Sequence, residues 1–433
     1  MLRSGHALIF SAAVTQGIGI IYWIAAARIY PATVVGRNSA AISITMFLAG
    51  VAELNLMSTL VRFLPTSGRR TKSFILTVYG ASAVLAGLTG LVFFLLIPRV
   101  EPQLEFLRSS PLLAAWFVVS IITGAIFVLQ DSALTGVRAA TFVPVENTAF
   151  SLVKLGLMIP VVRFLPAAGI YVSWTAAFAL SVIPTNVYLF GRAVPRHLRR
   201  QPADGELPPL RQIRAYVVPD SLAGLFMLAS TALLPLLIID RLGPAAAGHY
   251  ALAWIIGYSL YLVSLNMGSS LVVETAADQS VLREHCLRSI THQAKLLVPV
   301  VAVVIAAAPY ILLVFGRGYA AADATALRLL ALAAFPALIT NTAISVTRSQ
   351  RRMRMVVGIQ VAICALVWGL SDLLMGPLGI TGLGAAWLAA QTVTAAALII
   401  WHRLWLPARK PAADPARGQQ PDTNPATTGE AGE

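Results

Sequence analysis

Charge is scarce in this chain, and negative charge is scarcer still. Of 433 residues only 12% are Asp, Glu, Lys or Arg, with 18 carboxylates against 32 Lys and Arg. That is too little polar surface to cover a soluble globule of this length. Cysteine is almost missing: Cys286 falls in a polar gap and Cys364 in an apolar run, which excludes a disulfide framework and a cysteine metal cluster. The sequence has no Walker loop, and no HExxH or GxSxG on a soluble scaffold, so ATP hydrolysis within the chain is not expected. The chain reads as a non-enzyme with no cofactor and no metal site.

What the chain has in abundance is apolar sequence: 58% hydrophobic residues and a mean hydropathy of +0.77 define an integral membrane protein. Its apolar runs are each about 20 residues long, the length that crosses roughly 30 Å of hydrocarbon. The first, His6 to Ala27, is longer than a signal-peptide core and lacks a small-residue cleavage site, so it is expected to stay as a helix. Further spans are predicted near Asn38–Leu60, Phe74–Ile97, Leu112–Gln130, Val145–Leu165 and Gly169–Phe190. The remainder fall near Tyr216–Ile239, Gly248–Val272, Lys295–Phe315, Ala324–Val346, Met355–Leu374 and Ile380–Leu404, about twelve in all.

Between the two sets lies the longest polar stretch before the C-terminal tail, the basic segment Gly191 to Arg214. Sequence echoes cross it. Arg28-Ile-Tyr-Pro31 with Gly36 recurs as Arg241-Leu-Gly-Pro244 with Gly248, and Leu54-Asn-Leu-Met-Ser-Thr-Leu-Val61 as Leu265-Asn-Met-Gly-Ser-Ser-Leu-Val272. More loosely, Ala133–Arg138 recurs as Ala343–Arg348, all at offsets of about 210 to 213. The predicted organisation is an all-α, polytopic protein: a six-helix lobe (1–190), a basic cytoplasmic linker (191–215), a second six-helix lobe (216–405) and a disordered tail (406–433). Six is even, so the repeats enter the membrane alike and are related by an axis along its normal.

The net charge of +14 resides mostly in short gaps on one side of the spans, the pattern of positive-inside topology rather than of nucleic-acid binding. It places both termini in the cytoplasm and the protein in the plasma (inner) membrane.

Function is sought at the charges buried at membrane depth. Glu53, about fifteen residues into the second span, can hold a proton and is an ion-coupling candidate, as is Asp220 after Pro219, for which a helix cap is the simpler reading. Asn55, Ser58, Thr59 and Arg62 form one polar stripe at helical spacing. Arg62 and Arg138 are alternatively topology anchors reaching the headgroups. Lys154, about nine residues into the fifth span, needs either a cavity or an ion pair with Glu53, Asp131 or Glu146. Arg62, Arg138, Lys154 and Asn55 are the candidates for binding substrate. At offsets of 210 or 211, Glu53, Arg62 and Lys154 correspond to Ser264, Val273 and Cys364, so the charge belongs to the first half.

Ala26-Ala-Arg-Ile-Tyr-Pro31 with Val35-Gly36, and Leu60-Val-Arg-Phe-Leu-Pro65, resemble the polysaccharide-exporter branch of the multidrug/oligosaccharidyl-lipid/polysaccharide flippase superfamily (MATE-like). Phe315-Gly-Arg-Gly-Tyr-Ala320 followed by Leu327-Arg-Leu-Leu-Ala-Leu332 is similar to its second half. The resemblance implies two lobes around a cavity that opens alternately to each side, and export of a lipid-linked oligosaccharide. The acidic residue usual in the first helix of the drug-efflux branch is absent between His6 and Ala27, and the lipid II flippases of the superfamily carry more helices.

The expectation is therefore a flippase for a polyprenyl-diphosphate-linked glycan, driven by an ion gradient. Its partners would be the lipid-linked substrate, membrane lipids and glycosyltransferases or a polymerase of the same pathway. The alternatives are a proton- or sodium-coupled multidrug exporter and a non-transporting scaffold of a glycan-assembly complex.

Overall fold

The computed structural model describes residues 2–53, 56–199, 210–275 and 282–406. The predicted tail from 407 onward and the middle of the predicted linker, 200–209, lie outside the described residues. The first half consists of α1 (Leu2–Ile29), α2 (Ala32–Glu53), α3 (Leu56–Phe63), α4 (Thr71–Val100), α5 (Pro111–Gly136), α6 (Val143–Phe164), α7 (Gly169–Tyr188) and α8 (Val194–Leu198). The second consists of α9 (Leu210–Ala232), α10 (Leu234–Leu242), α11 (Pro244–Thr275), α12 (Leu282–Leu313), α13 (Arg317–Leu332), α14 (Ala334–Ser349), α15 (Met353–Leu378) and α16 (Ile380–Ile400).

Ten stretches among the described residues are long and apolar enough to cross a membrane. Leu2–Ile29 and Pro244–Thr275, at 28 and 32 residues, are two further rods where the first and eighth spans are predicted. Two rods are jointed among the described residues, and proline explains both joints: Pro235 follows the break between α9 and α10, and Pro336 that between α13 and α14, each lacking the N–H that would continue the ladder. Part of the predicted linker is helical, since a π-turn at Leu189–Ala193 carries α7 into α8.

The duplication shows in the packing. In the first half α4 lies on α5, α6 on α7, α5 on α7 and α1 on α6; in the second, α12 lies on α13, α15 on α16, α13 on α16 and α9 on α15. The outward face of α4 leaves Val84, Leu88, Leu91 and Leu95 exposed at helical spacing, the surface a lipid environment requires.

Both lobes end a helix in the same uncommon way. Arg138 after α5 and Arg351 after α14 have φ of 61° and 58°, a conformation that costs a side chain about 1–2 kcal/mol and that glycine normally fills. The same bonds close both turns, Ala139 N–H to Leu134 O and Arg352 N–H to Thr347 O. The pair is separated by 213 residues, which corrects the looser alignment of Arg138 with Arg348. Backbone conformation fixes this register where side-chain similarity had slipped. The same offset aligns Lys154 with the buried Val367 rather than with Cys364, and the first-half charge still meets a neutral residue.

The lobes meet where α2 crosses α11, an interface as extensive as any helix pairing within a lobe. At the same end of the bundle Arg28 donates from Nε to Val314 O at 2.9 Å and from Nη2 to Leu313 O at 3.2 Å, capping α12 across the seam. This far end is closed. The opposite end, which carries Arg62, Arg138, Arg196, Arg348 and Arg352, is referred to below as the basic end.

Candidate functional site

A cavity of about 480 Å³ lies between the lobes, displaced toward the basic end. Its described wall is formed by α2 and α9, with Met57 of α3 and Val128 of α5. Gly50 and Leu228 close it above: a methyl on Gly50 would come within 2.3 Å of the Leu228 side chain. The wall is apolar apart from Ser221 and one charged group, Glu53. Glu53 lies on α2 and is buried, so it brings a single carboxyl to an otherwise apolar wall.

The other predicted residues are spread around this cavity. Asn55 lies outside the described residues. Arg62 is exposed on α3, its guanidinium 5.6 Å from the centre of the Phe63 ring. Arg138 lies at the basic end beside a smaller pocket. Asp220 is no helix cap: α9 starts at Leu210, and from within that helix Asp220 pairs with Arg348 of α14 at 3.1 Å.

Lys154 has an environment that the sequence did not suggest. Its Nζ lies 3.8 Å from the centre of the Trp174 ring, 5.0 Å from Phe150 and 5.2 Å from Tyr22, and the side chain is buried. Among the described residues neither Glu53, Asp131 nor Glu146 pairs with it. Three ring faces from α1, α6 and α7 hold the ammonium by cation–π attraction, about 2 kcal/mol for a desolvated contact. Tyr22 is fixed in turn by its hydroxyl, which donates to Ile170 O at 2.9 Å. Met46 belongs both to this aromatic cluster and to the wall of the central cavity, so it separates the cage from the cavity.

Asp131 and Glu146 form a second cluster, which sequence reasoning had named only as partners for Lys154. Gln130 donates to Glu146 Oε1, Asn147 donates to Asp131 Oδ2 at 3.2 Å, and Asn186 donates to Gln130 Oε1 at 2.9 Å. Asp131 Oδ1, Glu146 Oε2 and Asn186 Oδ1 are buried without a donor. The signal lay in the spacing: Gln130-Asp131 and Glu146-Asn147 are 16 residues apart on helices joined by a short turn, which brings the two pairs level.

The second lobe is filled differently. Trp254, Tyr258, Tyr261 and Trp387 pack ring against ring around a space of only about 10 Å³. Its histidine–carboxylate contact, His249 Nδ1 with the buried Asp323 at 2.7 Å, lies near the far end beside the Tyr319 ring.

The described residues thus form an all-helical, polytopic membrane fold with a cavity between its two halves. The solved structures agree. The chain is similar to a multidrug resistance MATE family transporter of the MOP superfamily in an inward-facing conformation (15% identity, TM-score 0.67, 90% of this chain and 93% of that one). It is also similar to the lipid II flippase MurJ in an inward closed conformation (13% identity, TM-score 0.70, 93% and 88%). An outward-facing MATE transporter matches over 93% and 95% with a TM-score of 0.65 at 15% identity. By sequence the chain matches no family profile and no curated protein. At these identities the likeness is one of fold.

Proposed function

We propose that this protein is a flippase that carries a polyprenyl-diphosphate-linked glycan from the cytoplasmic to the outer leaflet of the plasma membrane by alternating access. The observation that supports this most is the central cavity, closed at the far end by the α2–α11 crossing and lying toward the end where positive charge is concentrated. In this reading the basic end is cytoplasmic, as are both termini. The diphosphate approaches the arginines of that end by charge-assisted hydrogen bonding, and the lipid tail follows the apolar walls or remains in the bilayer. Glu53, the charged group on the described wall, is the coupling residue for a proton or another cation. Asp220, tied to Arg348, would serve coupling by breaking and remaking that pair.

A cation-coupled exporter of small cationic amphiphiles is the second reading. One observation favours it: the described cavity wall offers a carboxylate and no cation. The two are separated in a deletion strain. Under the flippase reading, lipid-linked glycan accumulates where only cytoplasmic-side reagents reach it, and resistance to cationic drugs is unchanged. Normal outward appearance of the glycan in that strain refutes it.

A further inference from the structure

At the basic end of the first lobe a second pocket, about 200 Å³, opens beside the turn between α5 and α6. It shares no lining residue with the central cavity. Arg138, Arg196, Thr141, Tyr188 and His197 are the polar residues of its wall, so two guanidiniums and two hydroxyl-bearing side chains line one small space and no carboxylate does. Among the described residues neither Arg138 nor Arg196 forms an ion pair.

The pocket is built rather than incidental. Arg138 occupies the left-handed position that closes α5, where glycine would be relaxed, so the turn carries its guanidinium at a conformational cost. Tyr188 is stacked on Phe142, with ring centres 4.1 Å apart and planes 14° from parallel, which ties α7 to the α5–α6 turn. His197 is buried, with Nε2 3.3 Å from Leu64 O, and holds α8 against the turn that follows α3. The space is smaller than the roughly 300–1,000 Å³ typical of whole drug-sized ligands. It lies between the ends of two candidate spans, Pro111–Gly136 and Ala140–Phe164, and span ends are where a bilayer presents its headgroups.

We infer that this pocket binds the phosphate of an anionic lipid headgroup, with Arg138 and Arg196 as charge-assisted donors and Thr141 as a further hydroxyl donor. The inference rests on the pocket alone and holds whichever cargo the central cavity carries. A polyprenyl diphosphate and an anionic glycerophospholipid share this chemistry, and the test separates them.

The full chain is purified in detergent, and binding of phosphatidylglycerol, of a polyprenyl diphosphate and of zwitterionic phosphatidylcholine is measured by native mass spectrometry. Wild type is compared with Arg138→Gln/Arg196→Gln and with Arg69→Gln/Lys72→Gln, which removes equal charge from a separate depression on the same lobe. The expected result is a loss of about tenfold or more for at least one phosphate lipid in the first variant, and under about twofold in the second. Loss confined to phosphatidylglycerol identifies a resident membrane lipid, and loss confined to the polyprenyl diphosphate identifies a carrier headgroup. Equal losses in both variants, or no loss in either, overturn the inference. Should the glutamine pair unfold, Arg138→Lys/Arg196→Lys, which keeps the charge but not the bidentate fork, is read against the same two outcomes.

Discussion

Gly36 of α2 and Gly248 of α11 lie against each other on the seam between the lobes. A methyl group on Gly36 would meet Pro244 O at 1.8 Å, and one on Gly248 would meet Ala32 O at 2.3 Å. Ala32 and Pro244 stand at the same offset of 212 residues as the two glycines, so the contact is self-complementary, as expected where a two-fold axis relating the repeats passes between helices. Only glycine lets the two backbones approach this closely.

Gly36→Ala and Gly248→Ala should therefore each wedge the closed seam, at a cost of roughly 1–3 kcal/mol. In a background lacking Cys286 and Cys364, Val35→Cys reports on the seam, because Val35 is fully buried in the closed form. Alkylation of that cysteine should accelerate in either alanine variant. Unchanged alkylation together with unchanged thermal stability would show that the glycines do not hold the lobes together.

The aromatic cage makes an energetic prediction. Trp174→Leu strips the nearest ring from a buried ammonium and should destabilise the protein by about 2 kcal/mol beyond its packing loss. Lys154→Met removes the charge that needs the ring, so the double variant should recover that excess. A double-mutant cycle on thermal unfolding measures the coupling, and strict additivity would mean that the cage does not hold the charge.

Truncation and neutralisation should differ at the carboxyl cluster. Glu146→Gln retains an oxygen for the Gln130 amide and removes one of two facing carboxyls, so its effect on stability should stay within about 1 kcal/mol. Glu146→Ala leaves the buried Gln130 amide without its partner and should cost about 1–3 kcal/mol. Equal losses on thermal unfolding would dismiss the hydrogen-bond account.

Glu101, between α4 and the turn that follows it, gives the closed far end a pH dependence. It is buried, and burial first, then the Asp240 carboxylate of α10, push its carboxyl from 4.5 up to about 7. The folded protein thus keeps a proton that an unfolded chain releases. The resulting stabilisation is complete below about pH 4.5 and is lost as pH rises through about 7. Thermal midpoints should fall across that window, and Glu101→Gln should remove this part of the fall. An identical profile in the variant would assign the dependence to other groups.

The architecture was legible because membrane physics leaves few choices: apolar runs of about 20 residues are helices, and alternating Lys and Arg gaps define two ends. The repeat was legible from Gly36 and Gly248 because close backbone contact tolerates no other residue. It was misaligned at Arg138, where the shared feature is a left-handed φ that residue similarity does not reveal. Glu53 was readable as a deep carboxylate, and the structure places it on the cavity wall. Lys154 was equally readable as a deep charge, but its partners were not: Tyr22, Phe150 and Trp174 come from three helices, and aromatic residues are common in any apolar span. Asp220 was misread as a cap because Pro219 suggested a helix start, whereas α9 begins nine residues earlier.

The central claim, that the lobes alternate to carry a diphosphate-linked lipid, is tested most directly in proteoliposomes containing only this protein and a fluorescent polyprenyl-diphosphate glycan. Probe accessible from the side of the basic end should become accessible from the far end over time when a cation gradient is imposed. It should stop doing so when a disulfide between Val35→Cys and a cysteine on α11 locks the seam, and resume on reduction. Translocation no faster than in protein-free liposomes, or equally fast with the seam locked, would contradict the account.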